Sequence, residues 1–164
     1  MPDSSPLRVM FRLVYNFIFR TERRGLTVKA LFWVTISRLR IRFVSSNKLH
    51  NYLGEKDKST PEDVEFTSQE RKHIRWVMEK TARVANRLPW ENKCLVRAMV
   101  AQRLLREYGL ASTLYLGVGR DEEKNMAAHA WVRCGPYYVT GGDGKDYATV
   151  AFFSMDPSGS MEVE

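Results

Sequence analysis

The chain has 164 residues, of which 44% are apolar and 12% aromatic, enough for one domain with a proper core; this excludes wholesale disorder. Residues 1–60 carry 12 Lys and Arg against 4 Asp and Glu, whereas residues 61–164 carry 14 against 15. The net charge of +7 therefore lies in the first third of the chain, where it points to an acidic partner, a membrane surface or nucleic acid.

The two cysteines, Cys94 and Cys134, have no metal-ligand spacing and no further cysteine partners. This argues against a disulfide scaffold and a zinc site and favours a reducing compartment. The first residues lack the pattern of a signal peptide, and the longest apolar stretch, around residues 30–36, is too short to span a bilayer. We therefore expect a cytoplasmic protein that uses neither a metal nor a cofactor.

The N-terminal region, residues 1–60, is predicted to be helical and basic, with amphipathic helices at 7–20 and 26–44. Its large apolar side chains are expected to fold back on the rest of the chain, leaving arginines outward for an acidic partner. Residues 45–66 are polar and charged, which is typical of a linker. A second domain is predicted at 61–164.

Two further helices precede the strands of this second domain. Residues 67–70, Thr-Ser-Gln-Glu, match a capping box and predict a helix that ends at Pro89. The next helix is predicted to begin after Asn92, a good N-cap, and to end at residues 108–109. Its narrow apolar stripe has small residues that allow close packing on a sheet, and it consists of Cys94, Ala98, Ala101 and Leu105.

Short β-prone segments follow at residues 112–118, 129–133, 138–140 and 148–153. Helices followed by hairpin-connected strands predict an α+β fold, with a central helix packed on a small antiparallel sheet.

Cys94 and His129 are the candidate catalytic pair. Cys94 lies in the first helical turn, where unpaired backbone N–H groups stabilise a thiolate and can bind an oxyanion. His129 opens a strand, and an imidazole near such a thiol can take its proton. Strand alternation turns Cys134 away from the imidazole, so we expect that thiol to be packed and inert.

A histidine base usually needs an acceptor for its second ring N–H. A three-residue hairpin loop at 135–137 would place Asp143 opposite His129, whereas a two-residue loop would place Gly142 there and turn Asp143 away. The alternative, in which residues 141–144 are only a solvent turn, is equally allowed by their composition. Asp143 is the preferred acceptor among the downstream carboxylates, which are Asp143, Asp146 and Asp156.

Several segments between residues 65 and 155 resemble the transglutaminase-like cysteine peptidases of lasso-peptide biosynthesis. The resemblance implies that Cys94 is the nucleophile and His129 the base. The family's acid falls twelve residues after the histidine, which is Gly141 here, so Asp143 is the nearest carboxylate. The matching residues are Trp90, 94–98 (Cys-Leu-Val-Arg-Ala), 102–105 (Gln-Arg-Leu-Leu), Gly109, 116–118 (Leu-Gly-Val) and 128–132 (Ala-His-Ala-Trp-Val).

The resemblance also implies a function and partners. Such peptidases remove the leader from a ribosomally made precursor peptide and expose the core amine, which a separate ATP-dependent cyclase similar to asparagine synthetase then uses. A winged-helix-type recognition protein binds the leader. Because residues 1–60 lack the strands of such a domain, the chain is expected to be a stand-alone peptidase that needs this protein.

Two alternatives stay open. The same Cys–His–Asp constellation serves transglutaminases and arylamine acetyltransferases, in which an amine resolves the acyl-enzyme. A non-enzymatic adaptor could instead use the basic residues 7–44 to bind a membrane or nucleic acid. The sequence contains no nucleic-acid-binding motif, so we expect no nucleic-acid partner.

Overall fold

The computed structural model describes residues 24–43, 52–85, 94–120 and 123–157. The predicted helix at 7–20 and the predicted N-cap at Asn92 lie outside these residues.

The described residues form the helices α1 (Arg24–Phe43), α2 (Ser68–Ala85) and α3 (Cys94–Glu107). The predicted capping box is confirmed at the start of α2. The Thr67 backbone N–H donates to the Glu70 carboxylate at 2.7 Å, and the Glu70 N–H donates to Thr67 Oγ1 at 3.2 Å. No helix in the described part of the chain is long and apolar enough to cross a membrane.

Within the described residues, five strands form one antiparallel sheet in the order β1-β5-β2-β3-β4. The expected α+β class, with α3 packed on a small antiparallel sheet, is confirmed. The strands are β1 (Glu55–Lys56), β2 (Ser112–Arg120), β3 (Met126–Cys134), β4 (Tyr137–Thr140) and β5 (Tyr147–Met155).

The segment predicted as a linker, 45–66, is part of the folded domain where the structure describes it. Residues 55–56 pair with β5, and Leu53 is buried. The residues after β1 are held by buried Arg133, whose guanidinium donates hydrogen bonds to the carbonyls of Thr60 and Pro61 at 2.7 and 3.2 Å. The linker prediction is therefore wrong for these residues, since their pairing partners lie far away in the sequence.

The two faces of β3 have different surroundings. Ala130, Val132 and Cys134 are buried in the core together with α3. The predicted stripe of α3 is confirmed, because Ala98, Ala101 and Leu105 are fully buried. The opposite face carries a series of stacked rings, here called the aromatic row, which consists of Tyr115, His129, Trp131, Tyr147 and Phe152.

Helix α1 folds back on α3, as expected for this part of the N-terminal region. Ala30 and Val34 lie in the core, and Glu107 of α3 accepts a hydrogen bond from Trp33 Nε1 at 2.7 Å. Lys29 forms an ion pair with the same carboxylate, which raises the pKa of the lysine. The domain boundary at residue 60 stays a prediction.

The packing of α1 predicts opposite outcomes for two neighbouring substitutions. Val34 is 5% exposed, so Val34→Asp buries a charge and should lower the free energy of unfolding by about 3 kcal/mol or more. Phe32 is 56% exposed, so Phe32→Asp should change it by about 0.5 kcal/mol. Urea unfolding followed by circular dichroism measures both. Equal effects would contradict the packing of α1.

Candidate active site

Cys94 is the first residue of α3 and is partly buried against the core. Its thiol makes a weak hydrogen bond to the carbonyl oxygen of Ala128, with Sγ 3.8 Å away. The N–H groups of the first turn have no acceptor within the helix, so the positive end of the helix dipole favours a negative charge at this position. The position is chemically suited to a nucleophilic thiolate.

His129 lies one residue after Ala128 on β3, and its ring is fixed by two contacts. Nε2 lies 2.7 Å from the carbonyl oxygen of Gly141. Because a carbonyl can only accept, Nε2 must carry a proton, and the neutral ring then has an unprotonated Nδ1. The ring also stacks on Tyr147, with centroids 4.6 Å apart. The imidazole therefore has a defined orientation and one nitrogen free to accept a proton.

The thiol of Cys94 contacts β3 at Ala128, directly before His129, in a part of the strand with which β4 does not pair. The register of β4 covers only residues 132–134 of this strand, so the part before it has β2 as its strand neighbour. The thiol contacts this part at Ala128 and the loop after β4 contacts it at the next residue. In the described structure, both side chains hydrogen-bond to backbone carbonyls rather than to each other. Catalytic hydrogen bonds often form fully only when substrate is bound.

Neither predicted hairpin register holds along the whole of β4. The turn is the two-residue form, because Cys134 pairs with Tyr137. A register shift between Val132 and Arg133 then makes Val132 pair with Thr140, where the strand ends. Because β4 ends at Thr140, none of residues 141–143 pairs with His129 in the sheet.

The predicted contact between Asp143 and His129 is wrong. Asp143 is exposed, and its carboxylate accepts a hydrogen bond from the Lys145 backbone and forms an ion pair with Lys145 Nζ at 2.7 Å. These hydrogen bonds from Lys145 lower the pKa of Asp143. No carboxylate among the described residues bonds to the His129 ring. A part of Asp143 in turnover stays a prediction without structural support.

Trp131 and the glycines after β4 are functional candidates that the sequence reasoning missed. Trp131 is 4% exposed and lies against the glycine loop, defined as residues 141–144. A Cβ at Gly141 would lie 2.7 Å from the Trp131 Cβ, and a Cβ at Gly144 would lie 2.5 Å from its Cζ2. The signal in the sequence was the group of glycines at 141, 142 and 144, which begins ten residues after Trp131.

Cys134 differs from Cys94 in its exposure, because Cys94 is only partly buried. Cys134 is fully buried on the core face of β3, and burial raises its pKa to about 12. The expectation of a packed thiol is confirmed.

The difference between the thiols predicts selective alkylation. Brief treatment of the folded chain with iodoacetamide at neutral pH should modify Cys94 and leave Cys134 untouched, because only the thiolate reacts and Cys134 is inaccessible. Peptide mapping by mass spectrometry locates the label, and the urea-unfolded chain, in which both thiols react, is the control. Labelling of Cys134 in the folded chain would contradict its burial.

The chain matches a known protein family. The profile of the transglutaminase-like superfamily matches residues 34–152, which include α3, β3 and most of the sheet. This membership suggests activity of the cysteine-protease or acyltransferase type. No curated protein and no solved structure matches the chain. With well over half of its length matched, the chain belongs to the transglutaminase-like superfamily.

Proposed function

We propose that the chain is a cysteine peptidase that removes the leader from a lasso-peptide precursor. The observation that carries the chemistry is the thiol of Cys94 at the N-terminus of α3, 3.8 Å from the carbonyl of Ala128 and next to the residue that bears the imidazole. Superfamily membership supports the chemical class. The lasso-peptide assignment rests on the sequence resemblance around Cys94 and His129.

In the proposed reaction, Nδ1 of His129 takes the proton of Cys94. The thiolate attacks the carbonyl carbon of the scissile peptide bond, and the first-turn N–H groups of α3 hold the resulting oxyanion. When the tetrahedral intermediate collapses, the C–N bond breaks and the imidazolium gives its proton to the leaving amine. The leader is now a thioester on Cys94 and the core peptide has a free N-terminal amine.

Water completes the cycle. His129 removes a proton from the water molecule, whose oxygen attacks the thioester carbon. The C–S bond then breaks, the imidazolium returns the proton to the Cys94 thiolate, and the leader is released with a new carboxyl group. The order of release suits the pathway, because the core amine becomes available in the first step. A separate ATP-dependent cyclase, similar to asparagine synthetase, would join that amine to a side-chain carboxylate of the core.

The proposed partners are the precursor peptide, a winged-helix-type leader-recognition protein and the cyclase. The N-terminal region is proposed to dock one of these proteins. In support, the exposed side chains of α1 whose burial is described include the apolar residues Val28, Phe32 and Leu39. Exposed apolar residues beside basic ones fit a protein surface that carries acidic groups.

Acyl transfer is the second candidate, because Cys94 and His129 would form the same thioester. An amine would then replace water in the second step. The products distinguish the two reactions, since hydrolysis gives a leader carboxylate and transfer gives a leader amide. A purely non-enzymatic adaptor has less support, because the described site places a thiol at a helix N-terminus.

Matched cysteine substitutions test the peptidase. With the precursor and the recognition protein present, Cys94→Ala should abolish leader release, while Cys134→Ala should retain it because that thiol is buried in the core. His129→Ala should also abolish release. Mass spectrometry of the products, with circular dichroism to verify folding, measures each outcome. Leader release by a folded Cys94→Ala chain would overturn the assignment of the nucleophile.

Leader recognition by a separate protein predicts a rate that depends on that protein. The purified chain alone should process its precursor slowly, and the recognition protein should accelerate it by raising the local substrate concentration. Initial rates at fixed enzyme and increasing recognition protein show the effect. A full rate without the second protein would contradict the dependence.

A further inference from the structure

We propose that the backbone carbonyl of Gly141, held in place by Trp131, positions His129 in the role that a carboxylate plays in triad enzymes. The inference rests on the proposed function in one respect, because it treats His129 as the base. It makes the site a Cys–His dyad with a neutral backbone acceptor, and it makes Trp131 a positioning residue.

The first relevant contact is the hydrogen bond that the His129 ring makes. At 2.7 Å, the contact from Nε2 to the Gly141 oxygen is short for an N–H···O bond. It fixes both the plane of the ring and the tautomer, because the carbonyl requires a proton on Nε2. The other nitrogen, Nδ1, is then the one that accepts the thiol proton.

Trp131 gives the second part, because its packing determines where the Gly141 carbonyl lies. The indole is buried beneath the glycine loop. Gly141 and Gly144 have φ angles of +82° and +68°, and at both positions a Cβ would come within 2.7 Å of Trp131 atoms. A loop with side chains at these two positions would have to move away from the indole and carry the carbonyl with it.

Tyr147 fixes the far end of the loop. Its backbone N–H donates to the carbonyl of Gly144 at 2.9 Å, while its ring stacks on His129. The loop and the imidazole are therefore held by the same two aromatic residues, Trp131 and Tyr147. No side-chain acceptor is needed to keep the ring in place.

The third part is the location of Asp143. Its carboxylate is bound to Lys145 and is exposed, so it stabilises its own turn. A neutral carbonyl can hold the tautomer without a buried negative charge, and it accepts the N–H at any pH at which the chain is folded. In the proposed site, the orientation of the imidazole therefore does not depend on whether an acidic side chain is ionised.

Two alanine substitutions in the loop test the role of Trp131. Gly144→Ala would place a Cβ against the indole, whereas Gly142→Ala has a similar backbone penalty at φ +71° but nothing within 4 Å. Two measurements on the full-length chain report on His129: the ¹⁵N shifts of its ring, assigned with His129→Gln, and the alkylation rate of Cys94 by iodoacetamide. Neither needs the precursor.

We expect wild-type His129 to be the Nε2–H tautomer. Gly144→Ala should give mixed tautomers and alkylation slowed by about tenfold or more, because small displacements of a catalytic group are costly. Gly142→Ala should stay within about twofold of wild type. An Nδ1–H tautomer in the wild type, or equal effects of the two alanine variants, would overturn the proposal.

Asp143→Asn keeps the argument testable if Gly144→Ala does not fold. In serine proteases, the same change at an orienting acid costs about 10⁴ in turnover because the wrong tautomer results. Here the tautomer should persist and the alkylation rate should change by less than about twofold. Loss of the tautomer would restore Asp143 as the orienting group. If His129 keeps the Nε2–H tautomer but the chain does not cleave the precursor, only the proposed substrate is wrong and the role of Gly141 stands.

Discussion

The close packing of α3 on β3 is the constraint on which the site depends. Ala98 and Ala101 lie on the same side of α3 as Cys94 and are both fully buried, so neighbouring elements can approach the helix closely on that side. This approach brings the thiol at the helix N-terminus to the backbone of Ala128. With larger residues in the two alanine positions, the helix would stand off and the thiol would lose its contact with the strand. The packing of α3 and the placement of the Cys94 thiol are therefore linked.

Strand β3 divides its chemistry between two faces and one edge. The core face holds Cys134, whose burial removes it from solvent and keeps it protonated. The opposite face holds His129 and Trp131 in the aromatic row. Alternation along the strand therefore separates the buried thiol of Cys134 from the imidazole of His129. The short β4 leaves the edge open where Cys94 and the glycine loop approach.

Local patterns in the sequence predicted most of the helices and strands and the places of Cys94 and His129 on them, because caps, periodicity and strand alternation are local signals. The capping box at Thr67, the buried stripe of α3 and the opposed faces of β3 all follow from near neighbours. The strand at residues 55–56 was missed because its partner, β5, lies a hundred residues away. Asp143 was misplaced because a register shift and the early end of β4 depend on tertiary packing.

The absence of a carboxylate at position 141 and the burial of Trp131 are two aspects of one arrangement. A Cβ at this position would lie 2.5 Å from the carbonyl oxygen of Ala130, so an aspartate could not occupy it in the present loop. The left-handed backbone of Gly141 also turns its carbonyl, rather than a side chain, toward His129. Restoring an acid here would require a smaller residue at 131 and a different path for the loop. The acceptor of the imidazole proton is therefore a backbone carbonyl whose position is determined by the packing of a tryptophan, and neither of these groups is titratable.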